Sequence, residues 1–521
     1  MTTTSTSARR GVRRAGIAGL GALAAAMVVL GAAGPAAAAK PDQQDRSASH
    51  LTNKRWRFDA SATAVTDVAR VIGADKLWNA GIDGDGVGVA LVDTGVVPVP
   101  GLPAKRIVNG PDLSLDSQTD GAQYLDTFGH GTHLAGIIAG SDSASGFRGL
   151  APGATLTSVK VGAYDGAVDV SQVIAALDWV VEHRNDNPKK PIRVVNLSYG
   201  TDGVQDYQID PLTHAVENAW RAGIVVVAAA GNGGTDAPKL TNPAYDPYII
   251  AVGASDTGGT TVSYDDAVTD FSSRGDDTRR VDLVAPGRSI VSLRDPGSFV
   301  DEANPSARVG DTLFKGSGTS QAAAVVSGAV ALLLDARPDL TPDQVKAALT
   351  RSAAELRGSD PGEGAGELNI ALAAVTQVKG ATQTWPRSTG TGSLEAARGG
   401  SHLAFNDEPL VGENDLFGPF DTAAWAKASS AGNSWVGGTW MGRALTGTSW
   451  NGSSWAGLTW SGLHWSGLTW SGLHWSGLHW SGLTWSGLHW SGLTWSGLHW
   501  SGLHWSGLTW SGLHWSDDSW N

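Results

Sequence analysis

The chain has 521 residues, 69 of them glycine, a formal net charge of −13 and no cysteine. That length calls for roughly two or three structural units. The acidic balance leaves no basic stripe for nucleic acid, and the missing thiols exclude disulfides, cysteine-ligated zinc and thiolate catalysis.

Arg9, Arg10, Arg13 and Arg14 precede an uncharged apolar run from Ala15 to Ala39, which ends in Pro35 and small residues. This reads as a signal peptide over 1–39, cleaved most simply after Ala39, and predicts a secreted, extracellular product. The run is also long enough for an uncleaved anchor, so a cell-surface location stays open. Residues 40–74 form a short polar N-terminal or pro segment.

From Trp78 onward, short β-branched runs alternate with helical patterns, the signature of an α/β fold with a parallel sheet. Strands are expected at Val87–Val92, Arg193–Ser198, Ile224–Ala230 and Tyr248–Val252. Helices are expected from His130, over Pro211–Ala222 and from about Ser320 to Asp335. Another begins at Thr341-Pro342, where Gln344 completes a capping box. The domain so defined spans 75–378. Residues 379–433 lose all periodicity and read as a linker.

From 434 to 521 the chain becomes Trp-rich, and Trp recurs every five residues from Trp450 to Trp520, mostly as Ser-Gly-Leu-His/Thr-Trp. A period of five gives no stripe on a helix and alternating faces on a strand. The alternatives are a β-solenoid with one pentad per side or a disordered, low-complexity tail. Aromatic faces at that density suggest contact with cell wall or polysaccharide.

Three short motifs carry the chemistry. Ala-Leu-Val-Asp-Thr-Gly ends in a turn after a strand and presents Asp93; Gly-His-Gly-Thr-His opens a helix with His130; Gly-Thr-Ser opens another with Ser320. A serine hydroxyl needs an imidazole to take its proton, and the imidazole needs a carboxylate to fix its tautomer. His130 and His133 lack the glutamate and the spacing of a zinc motif, so no metal site is expected there. Gly84, Gly86 and Gly88 precede a strand instead of following it, so they form no dinucleotide loop.

The order Asp, His, Ser and these contexts resemble the subtilisin-like serine peptidases. The resemblance covers about 300 residues. It implies a parallel-sheet domain with helices on both faces and hydrolysis of peptide bonds in proteins through an acyl-enzyme. It further implies that Asp93, His130 and Ser320 are the catalytic triad, and that Asn232, within Ala228-Ala229-Ala230-Gly231-Asn232, is the oxyanion donor. Protein or peptide substrates would add as a strand between Gly162–Gly166 and Ser198-Tyr199-Gly200. Tyr199 stands where a smaller side chain is common and is expected to narrow a specificity pocket. Gln321 replaces the usual Met after the nucleophile, and Ala324 and Val325 replace the usual Pro and His. No cofactor is required. Some relatives bind calcium at the loop corresponding to Ser141–Gly146, where Ser143 replaces an amide, which leaves calcium there open. A second reading makes the peptidase domain vestigial and the Trp repeats the active part; the intact motifs argue against it.

Overall fold

Near-continuous apolar runs make strands that must be buried on both faces, and parallel sheets provide that environment. The computed structural model describes residues 62–443, apart from 119–120, 204, 238, 401 and 406–407. The expected signal peptide and the pentads from Trp450 lie outside the described residues. The strands are β1 (Gly88–Asp93), β2 (Ile107–Asp112), β3 (Thr155–Lys160), β4 (Ile192–Leu197), β5 (Val225–Ala229), β6 (Ile250–Asp256) and β7 (Leu283–Pro286). They pair in parallel in the order β2-β3-β1-β4-β5-β6-β7, and Ala267–Val268 adds an antiparallel edge to β6. Because β1 is central and the chain winds to either side of it, its C-terminal end opens at a switch point, where parallel sheets place ligands.

Helices α1 (His130–Ala139), α2 (Val170–His183), α3 (Pro211–Arg221), α4 (Thr319–Ala336) and α5 (Pro342–Ser352) follow. α1 packs on α4, and α4 lies across β4, β5 and β6; α2 and α3 pack together, on β1 and β5 respectively. The sheet therefore has helices on both faces, as expected. α4 is long and apolar enough to cross a membrane, but it is buried inside the domain, which is why it is apolar all round. The capping box of α5 forms as read: the Thr341 hydroxyl accepts from the Gln344 N–H, and the Gln344 side chain accepts from the Thr341 N–H.

Two boundaries differ from expectation. The packed domain begins before residue 75: Thr63–Ala64 pairs with Ile290–Val291, and the helix Val65–Val71 buries four of its residues. Residues 379–433 are not a loose linker, and Trp435 and Trp440 do not stand apart as a repeat. They form a third layer over α2 and α3, built from α6 (Leu394–Arg398), α7 (Thr422–Ser430) and a hairpin pairing Trp435–Val436 with Thr439–Trp440. The indole N–H groups of Trp425 and Trp440 both donate to Asp178 Oδ2, at 2.8 and 2.9 Å. Trp435 donates to the Ala175 carbonyl at 2.8 Å. Each apolar residue here is anchored singly between short turns, so no period of 2 or 3.6 announces the layer.

Candidate active site

Asp93 is the last residue of β1 and is fully buried. Its Oδ1 accepts from the Thr94 N–H at 2.8 Å and faces His130 Nδ1 at 2.7 Å. Burial, the largest influence, pushes the Asp93 carboxyl above its usual range; the neighbouring imidazole and the Thr94 N–H pull it back. The hydrogen bond fixes which ring nitrogen of His130 faces the carboxylate and leaves Nε2 to face the other way.

His130 begins α1, where Gly129 takes φ of +100° and a Cβ would come within 2.9 Å of Ser298 Cβ. Glycine is required there on both counts. Asp126 holds the helix start: its carboxylate accepts from the N–H of Gly129 (2.7 Å) and Thr132 (2.6 Å) and from the Thr94 hydroxyl (2.7 Å). A single carboxylate thus ties the end of β1 to the start of α1. Spacing alone does not reveal Thr94 in this role, although an aspartate just before a helix is a capping signal that could have pointed to Asp126. His133, one turn further, is buried; desolvation first and the His130 charge second push its pKa down to about 3, so it stays neutral.

Ser320 lies in the first turn of α4 and is 1% exposed. Its backbone carbonyl accepts from the Ser198 hydroxyl at 3.3 Å, and that hydroxyl is held in turn by the Asn196 amide at 3.0 Å. Asn232 is fixed by the same helix start. Its Oδ1 accepts from the Thr319 N–H at 2.8 Å and from the Thr319 hydroxyl at 3.0 Å, which identifies its amide NH2 as the end turned away from Thr319. Gly231, at φ +104°, makes the turn into it, and a Cβ there would meet Thr241 Cγ2 at 2.7 Å. The start of α4 also carries partial positive charge, which favours an anion.

The two expected substrate strips flank these groups. Gly162 lies against Thr94, where a Cβ would come within 2.7 Å of Thr94 Cγ2. The Ala163 N–H donates to the Ala167 carbonyl at 2.9 Å, closing a turn in which Gly166 takes φ of +83°. Ser198 and Gly200 continue from the end of β4, and a Cβ on Gly200 would come within 2.6 Å of Thr241 Cβ. The Tyr199 ring is buried, with Asp169, Arg398 and Asp210 as charged neighbours.

The loop Ser141–Gly146 turns its carboxylate onto itself. Asp142 accepts from the Ala144 and Ser145 N–H groups at 3.0 and 3.1 Å and from the Ser145 hydroxyl at 2.5 Å. Among the described residues no three His, Asp or Glu side chains converge as a metal cage. The Asp142 carboxylate is thus engaged within its own loop, and the reaction proposed below uses no metal ion.

A buried carboxylate–imidazole pair at the C-terminal end of a parallel strand, with a serine in the first turn of a helix that packs on the one His130 opens, is the arrangement of the serine peptidase class. The chain is a member of the subtilase family, whose profile matches residues 84–392, and it is a subtilisin-type serine peptidase. It is 42% identical to the serine protease AprX of Bacillus subtilis over 296 residues, covering 55% of this chain and 66% of that protein. With subtilisin DY of Bacillus licheniformis the identity is 33% over 307 residues, 58% of this chain and 96% of the relative. Among solved structures, fervidolysin from Fervidobacterium pennivorans matches 60% of this chain and 45% of its own, at 29% identity and a TM-score of 0.48.

Proposed function

We propose that this chain is an exported endopeptidase that cleaves proteins through an acyl-enzyme on Ser320. The observation that carries the reading is the 2.7 Å contact between Asp93 and His130 at the C-terminal end of β1. His130 Nε2 takes the proton of the Ser320 hydroxyl as its oxygen attacks the scissile carbonyl. The same imidazolium, steadied by Asp93, then gives the proton to the leaving amine. Water repeats the sequence to release the acid. Negative charge on the attacked oxygen is met by the Asn232 amide and the Ser320 N–H; the fixed orientation of Asn232 supports this, because a donor already aimed needs no reorganisation. An extended substrate pairs its backbone with residues 162–166 and 198–200, which gives broad sequence tolerance.

Export is supported by the four arginines and the apolar run that follows. The names of relatives do not decide it: one is a minor extracellular protease and another a major intracellular one. The Trp pentads are proposed to tether the enzyme to cell wall or polysaccharide, on the strength of their periodicity.

The test is to treat the wild type and Ser320→Ala with a serine-directed sulfonyl fluoride and a denatured protein substrate. The wild type is expected to be labelled and to cleave, and the variant to do neither. Equal labelling of both proteins would place the nucleophile elsewhere. The same inactive variant, mixed with purified cell envelopes, is expected to sediment with them; a variant left in the supernatant removes the tether.

A further inference from the structure

α6 lies just beyond residue 392, where the match to the family profile ends, yet it touches the continuations of both proposed substrate strips. On one side the strip 162–166 runs through Ala167 and Val168 into Asp169, the N-cap of α2. Asp169 Oδ1 accepts from the Ser171 N–H at 3.0 Å, and its own N–H donates to Gln172 Oε1 at 2.6 Å. Arg398, at the end of α6, donates from Nε to Asp169 Oδ2 at 2.6 Å. Both side chains are fully shielded from solvent.

The rest of the guanidinium is held as well. Nη1 donates to Glu395 Oε2 at 3.2 Å and to the Gly412 carbonyl at 2.8 Å, and Nη2 donates to the Asn414 carbonyl. A planar fork with every arm engaged has one orientation, which a lysine cannot reproduce.

On the other side, the strip 198–200 continues into Thr201, whose hydroxyl donates to the Ala397 carbonyl at 2.5 Å. The next residue, Asp202, accepts from the Gly400 N–H at 2.6 Å. At Gly203 a Cβ would come within 2.8 Å of the Ala397 carbonyl, so the backbones approach as closely as glycine allows. Gln205 then bonds both backbone groups of Ser393, at 2.7 and 3.0 Å. Tyr199, within this second strip, has Asp169 and Arg398 as neighbours. One short helix is thus bonded to the chain leaving each of the two strips.

We infer that Arg398 is a positioning residue for the peptidase reaction: through Asp169, and through Ala397 on Thr201, it sets the separation of the two strips that receive an extended substrate. It touches neither substrate nor the reacting atoms. The inference rests on the protease reading above and deepens it.

A group that sets strip spacing acts on substrates long enough to fill the strips and not on those that occupy the reacting centre alone. The full-length protein, Arg398→Lys and Thr201→Val are compared on a tetrapeptide anilide, on a single-residue acyl ester and with the sulfonyl fluoride. Arg398→Lys is expected to raise KM for the tetrapeptide about tenfold, equivalent to ~1.4 kcal/mol, with kcat changed less than about twofold. Ester turnover and labelling should match wild type. Thr201→Val, which keeps the buried ion pair and removes only the hydroxyl's link to Ala397, is expected to show the same split more weakly.

Folded variants with unchanged tetrapeptide KM would overturn the inference. So would ester and tetrapeptide activities falling in parallel with labelling, which marks a purely structural role. A wild type that takes no label overturns the protease reading itself, and the two failures are thereby told apart.

Discussion

Gln321 follows Ser320, the proposed nucleophile, and is completely buried, and neither its amide nitrogen nor its amide oxygen has a hydrogen-bond partner among the described residues. An unmet buried polar group costs about 1–3 kcal/mol. Gln321→Met, close in volume, is therefore expected to raise stability by about that amount, read from the midpoint of urea unfolding. The same change puts an oxidisable sulfur beside Ser320. Met441 is the one methionine among the described residues and belongs to the outer layer. The wild type should accordingly hold its activity in dilute peroxide while Gln321→Met loses it within minutes. Rapid inactivation of the wild type would show that another group governs oxidation. Asp126 belongs to the same scale: one carboxylate, accepting from β1's turn and from α1, makes the relative placement of Asp93 and His130 insensitive to small motions of either element.

The outer layer of α6, α7 and the hairpin depends on a few buried contacts into α2 and α3. Asp178 is pushed above the usual carboxylate range by burial, and hydrogen bonds from Ser429, Trp440 and Trp425 draw it back. His214 of α3 meets the Trp425 ring edge-on, with centroids 5.5 Å apart, and its Nδ1 lies 2.8 Å from the Ser388 carbonyl. Trp425→Ala removes a fully buried indole and one donor to Asp178. It is expected to cost about 3–5 kcal/mol, seen as a lower urea midpoint. A loss below about 1 kcal/mol would mean that the layer is only loosely attached. The layer was not legible because its strands are two residues long and its anchors are single tryptophans. By contrast α2 carries Val170, Val173, Ile174, Leu177 and Val180 behind an Asp169/Gln172 capping box, a helical signal present in the chain although the expectations above did not name that helix.

Across the whole molecule, buried ionisable groups set how stability varies with pH. Burial first and the Asp266 charge second push Glu367 up from 4.5 to about 8. Asp165 is raised to about 7 by burial first, and so is Asp266. For such groups the folded state binds the proton more tightly than the unfolded chain. Their contribution is complete below the unfolded pKa and is lost as pH rises through the folded value. His133 works from the acid side: its pKa falls from 6.5 to about 3 on folding, so its contribution is present above 6.5 and lost as pH drops toward 3. Stability should therefore decline from about pH 5 toward pH 8. Glu367→Gln is expected to flatten that decline, measured as Tm against pH. An unaltered slope would assign the alkaline loss to the other carboxyls.

The sequence by itself determined the peptidase class, the alternation of strand and helix, the ends of most core elements and the residues proposed for catalysis. It could do so because local rules govern these features: β-branched runs make buried strands, capping boxes start helices, and a nucleophile, base and acid need short motifs that expose them. Only the tertiary structure decided what depends on meetings between distant residues. Tyr199 lies in a motif, but the burial of its ring with Asp169, Asp210 and Arg398 as charged neighbours comes from segments far apart in the chain. Residues 379–443 lack any period yet cover two helices, because Arg398 reaches Asp169 across 229 positions and Trp440 reaches Asp178 across 262. Such partners leave no trace in spacing, since neither residue's neighbours along the chain carry the other's chemistry.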